Sequence, residues 1–373
     1  MINRRNLVGA GLLGAAGAAA TFANPKSGEA LSGPAISRSR RRFNMVTTWP
    51  KGLPGLGTGA ERLAKRIGDL TEGAINVQYF AAGERVGAFD SFDAVAAGNA
   101  QAYHAADYYW KGKHPGFAYF AAVPFGLVYV EQNAWLHHMG GQQLWDEVAG
   151  SFGLKCFAAG NTGLQMGGWF NKEINSAEDL KGLKMRIPGI GGDMMAKLGV
   201  SVVSLPGGQI YEALVSGAID ACEWVGPWND YFLKFYEAAK YYYWPGVHEP
   251  GSTLSFGINA SWFGGLTKSQ QILIEAACTE ENDKMMAEFN ANNGIYLTRL
   301  RQDHGVQLRR FNEDVYDAFG EGSQATFDEI VQHSDLAKRI HESFVRARKE
   351  VGGWMNLSDV PYLIERNRVL GIE

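Results

Sequence analysis

Hydrophobic positions change their spacing repeatedly along this chain, and the changes predict its elements. Phe43 to Trp49 alternates as a strand, and a Gly/Pro loop follows from Pro50 to Gly59. Ala60, Leu63, Ala64, Ile67 and Leu70 then recur at helical spacing, with Thr58 read as the cap and Thr71-Glu72-Gly73 as the stop. Ile75, Val77 and Tyr79 alternate as a second strand. Strand, helix and strand within about 35 residues make a βαβ unit and predict parallel pairing.

The pattern recurs. Helical spacing covers Phe89 to Ala97, Asn133 to Val148, Ala177 to Leu180, Gly192 to Leu198 and Ile210 to Ser216. Short apolar runs read as strands at Ala100–His104, Leu154–Ala159, Met166–Phe170, Leu183–Ile187, Val200–Ser204 and Ile219–Trp224. Met166–Phe170 reads as a strand leaving one sheet for another. Strands alternating with helices over two-thirds of the chain predict an α/β fold with open sheets. From Thr267 the texture changes to two long helical regions, Lys268–Arg301 and Ala325–Val351.

The chain has 373 residues, of which 46% are hydrophobic, with a formal net charge of -4. That is material for two domains or one large one, and the charge balance argues against nucleic acid as a partner. Asn3-Arg4-Arg5-Asn6 followed by the apolar run Val8–Phe22 reads as an export signal over residues 1–23, with paired arginines that fit the twin-arginine route. Asn24–Arg42, rich in Pro, Ser, Gly and Arg, reads as a linker. Three scattered cysteines, Cys156, Cys222 and Cys278, make no disulfide framework. Cys222 beside Glu223 is a poor nucleophile, because an adjacent carboxylate raises a thiol pKa.

The most informative stretch is Gly217–Asp230, GAIDACEWVGPWND, which sets Glu223 and Trp224 at a strand end before a Gly-Pro turn. An acid beside an aromatic at a turn suits a small polar ligand, but binding, chemistry and packing all remain open there. Arg186 ends another strand before a glycine-rich turn, and its planar fork suits a carboxylate; a surface arginine is the alternative. Gly160–Trp169 packs four glycines around Asn161 and Gln165, so the loop either brings backbone close to a ligand or simply turns. Tyr108, in Asp107-Tyr108-Tyr109-Trp110, and the block Tyr241–Trp244 either line a pocket or fill a core between lobes. His137-His138 reads as a solvated pair. No phosphate loop, dinucleotide fingerprint, nucleophile elbow or Cys-x-x-Cys occurs, which counts against hydrolysis or redox chemistry.

Together these segments resemble the extracytoplasmic solute-binding proteins of tripartite ATP-independent periplasmic (TRAP) transporters. Gly208-Gln209-Ile210-Tyr211-Glu212-Ala213-Leu214 with Gly217 and Asp220, and Leu180-Lys181-Gly182-Leu183-Lys184-Met185-Arg186, carry the resemblance, which runs from about Phe43 to the C-terminus. Glu223-Trp224-Val225-Gly226-Pro227-Trp228 departs from the dicarboxylate binders and looks like the subgroup that takes 2-oxo acids or lactate with a cation. The resemblance implies a two-lobed, type II-like periplasmic binding protein, α/β with mixed sheets, hinge crossing strands and long C-terminal helices. It implies lobe I at 43–164 plus 252–300, lobe II at 165–251, and a brace and dimerisation region at 301–373. It also implies that Arg186 meets the substrate carboxylate, with Gln165, Asn161, Tyr108 and Trp224 around the ligand. One cation, sodium or calcium, would be held by Gln165, Glu223, the Trp224 carbonyl and Glu249. The expected partners are a small monocarboxylate, the membrane permease subunits and a second copy of the chain, and the expected place is the periplasm. Two other readings remain: a secreted enzyme using Glu223 and Glu249 as an acid–base pair, and a sensory domain of the same fold.

Overall fold

The first βαβ unit forms as its alternations predict. The computed structural model describes residues 41–372; the export signal and nearly all of the linker, with Arg38 and Arg40, lie outside the described residues. β1 (Arg41–Thr47) pairs in parallel with β2 (Ile75–Phe80), and α1 (Leu56–Leu70) crosses between them. The helix begins ahead of Thr58. Its cap is Gly55, with φ of 76°, and Thr58 Oγ1 accepts the Gly55 N–H at 2.9 Å from inside the first turn. The threonine therefore closes the turn without standing outside it.

α2 (Ser91–Ala96) leads to β3 (Ala102–Ala105). The single helix expected over Asn133–Val148 is two, α3 (Tyr129–His138) and α4 (Gly141–Gly150), broken where Gly140 takes a φ of 90°. β4 (Leu154–Asn161) then completes one edge of the first sheet.

The second sheet takes β5 (Gly168–Phe170), β6 (Lys184–Arg186), β7 (Ser201–Val203), β8 (Ala221–Cys222) and β9 (Tyr241–Trp244). Helices α5 (Gly189–Lys197), α6 (Gly207–Val215), α7 (Pro227–Phe232) and α8 (Phe235–Ala238) connect them. The chain returns to the first sheet as β10 (Thr253–Asn259), which runs antiparallel between β3 and β4, giving the order β2-β1-β3-β10-β4. After α9 (Ala260–Gly264) and α10 (Lys268–Gln302), β11 (Gln307–Arg310) joins the edge of the second sheet, whose order is β11-β9-β5-β8-β6-β7. The expected helix at Ala325–Val351 is again two, α11 (Glu313–Ile330) and α12 (Asp335–Met355), because Ser334 Oγ caps a fresh start by accepting from Ala337 N at 3.0 Å. α13 (Asp359–Leu370) ends the described chain. No helix among the described residues is long and apolar enough to cross a membrane.

Two crossings, residues 162–167 and 245–252, join the sheets and are tied to each other by main-chain bonds. Thr162 N donates to Ser252 O at 3.0 Å, Gln165 N to Glu249 O at 3.2 Å, and Gly246 N to Gln165 O at 3.0 Å. The aromatic block Tyr241–Trp244 is β9, and its alternation divides it between two cores. Tyr242 stacks on Trp169 at 4.0 Å in the larger core, and Tyr243 stacks on Phe311 at 4.3 Å in the smaller one. These rings pack the second sheet on both faces. The three cysteines are buried and free, with thiol pKa values pushed up by burial.

Candidate functional site

Register places the two central charges side by side. Arg186 is the last residue of β6, and its partner in the parallel neighbour β8 is Cys222. Glu223, one residue further on, therefore emerges next to Arg186 at the carboxyl end of the sheet, where open α/β folds gather ligands. Arg186 Nη1 donates to Glu223 Oε1 at 2.5 Å and to the Glu223 carbonyl at 2.8 Å, and Nε donates to Leu205 O at 3.1 Å. Both side chains are 1% exposed. The guanidinium lies 5.0 Å from the centre of the Trp224 ring, a cation–π contact. Gly207 makes room for that ring, since a Cβ there would stand 2.5 Å from it.

The crossings supply the facing groups. Gln165 Nε2 donates to Glu249 Oε2 at 2.8 Å and to Thr162 Oγ1 at 3.1 Å. His248 Nε2 donates to the second oxygen of Glu223 at 3.1 Å. Glu223, His248 and Glu249 bring ligand atoms within 4.8 Å of one another, all three buried. Asn161 sits at the base of the same loop, buried, with its carboxamide used on both sides: Nδ2 donates to Thr253 Oγ1 at 3.1 Å, and Oδ1 accepts from Gly163 N at 2.8 Å. It shapes the loop that carries Gln165.

Burial and charge compete throughout this cluster. Burial opposes the charge of Arg186, yet Glu223 beside it leaves the guanidinium pKa above its ordinary value. Burial likewise opposes protonation of His248, but the bond to Glu223 and the charges of Glu223 and Glu249 together outweigh it, so the imidazole pKa is raised. Glu249 goes the other way for a carboxyl: burial and the neighbouring Glu223 push its pKa up. Three buried polar atoms here have no protein partner, Gln165 Oε1, Arg186 Nη2 and Ser252 Oγ. One is an acceptor and one a cationic donor, so the cluster lacks both a positive and a negative partner.

A narrow pocket opens against this cluster, lined by Tyr108, Tyr109, Gln165 and Trp224 and by the apolar Leu56 and Leu254. The rings of Tyr108 and Tyr109 meet edge-on at 4.8 Å. Of the residues expected from sequence, Arg186, Gln165, Glu223, Trp224 and Glu249 converge, Tyr108 lines the pocket, and Asn161 lies behind it. Sequence reasoning missed His248, Trp49 and Tyr109. His248 sits directly before Glu249 in a segment already singled out, and an imidazole next to a carboxylate was the available signal. Trp49 gave none, because its place depends on residues far away in the chain. His137 and His138 are exposed, as read.

Two sheets joined by crossing segments that carry a buried cluster of opposite charges have the form of a two-lobed binding protein. Residues 45–334 match the bacterial extracellular solute-binding proteins of family 7, and the chain belongs to that family. The chain is 43% identical over 321 residues to the monocarboxylate 2-oxoacid-binding periplasmic protein of Nostoc sp. (strain PCC 7120), covering 86% of this chain and 88% of that one. A TRAP transporter solute-binding protein from Bordetella bronchiseptica superposes with a TM-score of 0.87 at 34% identity, covering 88% of this chain and 98% of that one. That structure is a mixed-occupancy dimer with calcium and picolinate in its occupied site. A TRAP periplasmic solute-binding protein from Pseudoalteromonas atlantica, with sodium and pyruvate bound, superposes with a TM-score of 0.84 at 35% identity, covering 87% of this chain and 98% of that one.

Proposed function

We propose that this chain is the periplasmic receptor of a TRAP-type transporter, capturing a small 2-oxo or 2-hydroxy monocarboxylate with one bound sodium or calcium ion and delivering the acid to membrane permease subunits. The observation that carries this reading is the pair of orphans, Gln165 Oε1 and Arg186 Nη2, buried on either side of the Glu223, His248 and Glu249 cluster. The first seeks a cation or donor, and the second seeks an anion. Gln165 Oε1, the Glu223 and Glu249 carboxylates and the Trp224 carbonyl form an all-oxygen set suited to a hard cation. When bound, that cation supplies a positive charge that lets two glutamates line an anion site. Arg186 would take the ligand carboxylate through Nη2, and Glu223 would be one of the residues that hold the cation. His248 remains a donor to Glu223. Tyr108 and Trp224 form the walls, and Asn161 sets the loop. A ligand this small has too little apolar surface to bind by area alone, so charge must do most of the work.

The lobes are assigned to 43–164 with 252–300 and to 165–251, with 301–373 as brace and dimerisation region; within the last, β11 also adds a strand to the second sheet. Titration calorimetry with pyruvate, 2-oxobutyrate and lactate, with and without sodium and calcium, tests the function. Heat with at least one acid is expected, and silence with all of them under every condition sinks the proposal.

A further inference from the structure

Two indole rings from different sheets meet at the pocket, and each is held by a side chain with no other part in the site. Trp49 follows β1, and its Nε1–H donates to His104 Nδ1 at 2.8 Å. That bond fixes the imidazole tautomer, because His104 Nε2–H is then the donor to Ala159 O at 3.0 Å. Burial lowers the His104 pKa to about 4, so the ring stays neutral and keeps accepting from Trp49. Trp224 follows β8, and its Nε1–H donates to Asn229 Oδ1 at 3.2 Å. The two rings meet edge-on at 6.4 Å.

Asn229 has a second bond that distinguishes it from His104. Its Nδ2 donates to Pro54 O at 2.7 Å, 175 residues away in sequence. Pro54 lies in the loop between β1 and α1 and is followed by Gly55 and Leu56; Leu56 lines the pocket. The same loop presses on the second sheet's side of the molecule, where a Cβ on Gly55 would stand 2.9 Å from the Trp228 ring. The carboxamide of Asn229, fully buried, therefore spans from the indole that stacks on Arg186 to the main chain of the opposite wall.

We propose that Asn229 is a positioning residue for ligand capture, fastening the Trp224 ring to the 50–56 loop so that the arginine's aromatic platform and the apolar wall of the pocket are set as one unit. The proposal rests on the ligand reading above and adds to it a residue that touches neither ligand nor cation. A carboxamide is required because the two jobs need opposite polarity: an oxygen for Trp224 Nε1–H and an N–H for Pro54 O. Aspartate has nearly the same shape and keeps the first bond, but it sets an oxygen against the Pro54 carbonyl.

The test is Asn229→Asp, compared with wild type in two measurements. In stopped-flow binding of pyruvate in calcium buffer, affinity is expected to fall about tenfold, as for the loss of a buried hydrogen bond, chiefly through faster dissociation. The ligand-free variant is expected to melt several degrees lower, because a buried carboxylate then faces the Pro54 carbonyl, so the site of the loosening is read from exchange. In hydrogen exchange of the ligand-free proteins, peptides covering 50–58 are expected to lose protection in the variant while α10 keeps its own. Unchanged exchange over 50–58 overturns the proposal whether or not any acid binds. So does unchanged dissociation, or protection lost over α10 to the same degree as over 50–58. Wild-type protein that binds none of the tested acids would instead defeat the ligand reading, and the exchange comparison would still decide whether Asn229 ties the two walls.

Discussion

Arg186 and Glu223 are adjacent only because β6 and β8 pair in parallel with Arg186 opposite Cys222. The sequence supplied each as a strand-end charge, and the glycine-rich loop and the Glu249 segment as further pieces. It did not supply their mutual distance, which register decides. Arg186→Ala should weaken ligand binding by roughly 3–5 kcal/mol, the usual cost of leaving a buried charge unpaired. Calorimetry on the variant measures this, and near-native affinity would place the ligand carboxylate elsewhere. A second residue prediction concerns Asp230. It accepts from Trp169 Nε1 at 2.9 Å, Tyr242 Oη at 2.6 Å and Val225 N at 3.3 Å, bonds that favour its ionised form. Burial outweighs them and pushes its pKa from 3.8 up to about 7. The folded state thus holds this proton more tightly than the unfolded chain. The associated stability is complete below the unfolded value and is lost as pH rises through about 7. Denaturation of Asp230→Asn and wild type at several pH values should show the wild-type advantage shrinking from about pH 4 to pH 7. A difference that does not vary with pH would contradict the assignment.

At the scale of elements, the alternation of strand and helix was legible through β8, because each short strand carries its own apolar run. Two of the errors fell where one periodicity continued across a break, and β9, β10 and β11 were not read as strands. The apolar spacing of Asn133–Val148 runs on through Met139-Gly140, and only the positive φ of Gly140 marks the stop. Phe327, Ile330 and Ile340 likewise keep helical spacing across the turn before Ser334. α13 differs from every long helix before it, for it buries no residue. Tyr362, Leu363, Ile364, Val369 and Leu370 on it are all exposed, as are Trp354 at 66% and Leu357 at 80% just before it. So much apolar surface on one terminal helix marks an interaction face, and the expected cover is a second copy of the chain. Removing residues 357–373 should therefore shift the protein from dimer to monomer in analytical ultracentrifugation while pyruvate binding persists. A wild-type monomer at all concentrations, or an undiminished dimer after truncation, would refute the assignment.

The whole molecule joins its two sheets through the crossings, and the charged cluster sits on those same segments. On the proposed reading, cation, ligand and sheet-to-sheet geometry would be linked in one place. Thermal melts should show this: pyruvate should raise the melting temperature of cation-loaded protein and have little effect after chelation in sodium-free buffer. Equal shifts in both conditions would remove the cation from the site. The two-sheet architecture was legible from sequence as alternating units and as a family resemblance. The approach of Trp49 and Asn229 to the pocket was not, because contacts across such long separations leave no local periodicity.

Glu223 lies on Arg186 Nη1 and accepts from His248 on its other oxygen, so an arginine suited to a guest anion already holds a carboxylate of its own chain. That carboxylate is an intramolecular competitor at high effective concentration. On the proposed reading, a guest that claimed Nη1 as well as the free Nη2 would have to displace Glu223, and its net gain there would be smaller than the strength of the new contact. In such a receptor the returning side chain would help to release the guest. For a carrier that must surrender each molecule to a membrane partner, ease of release matters as much as grip.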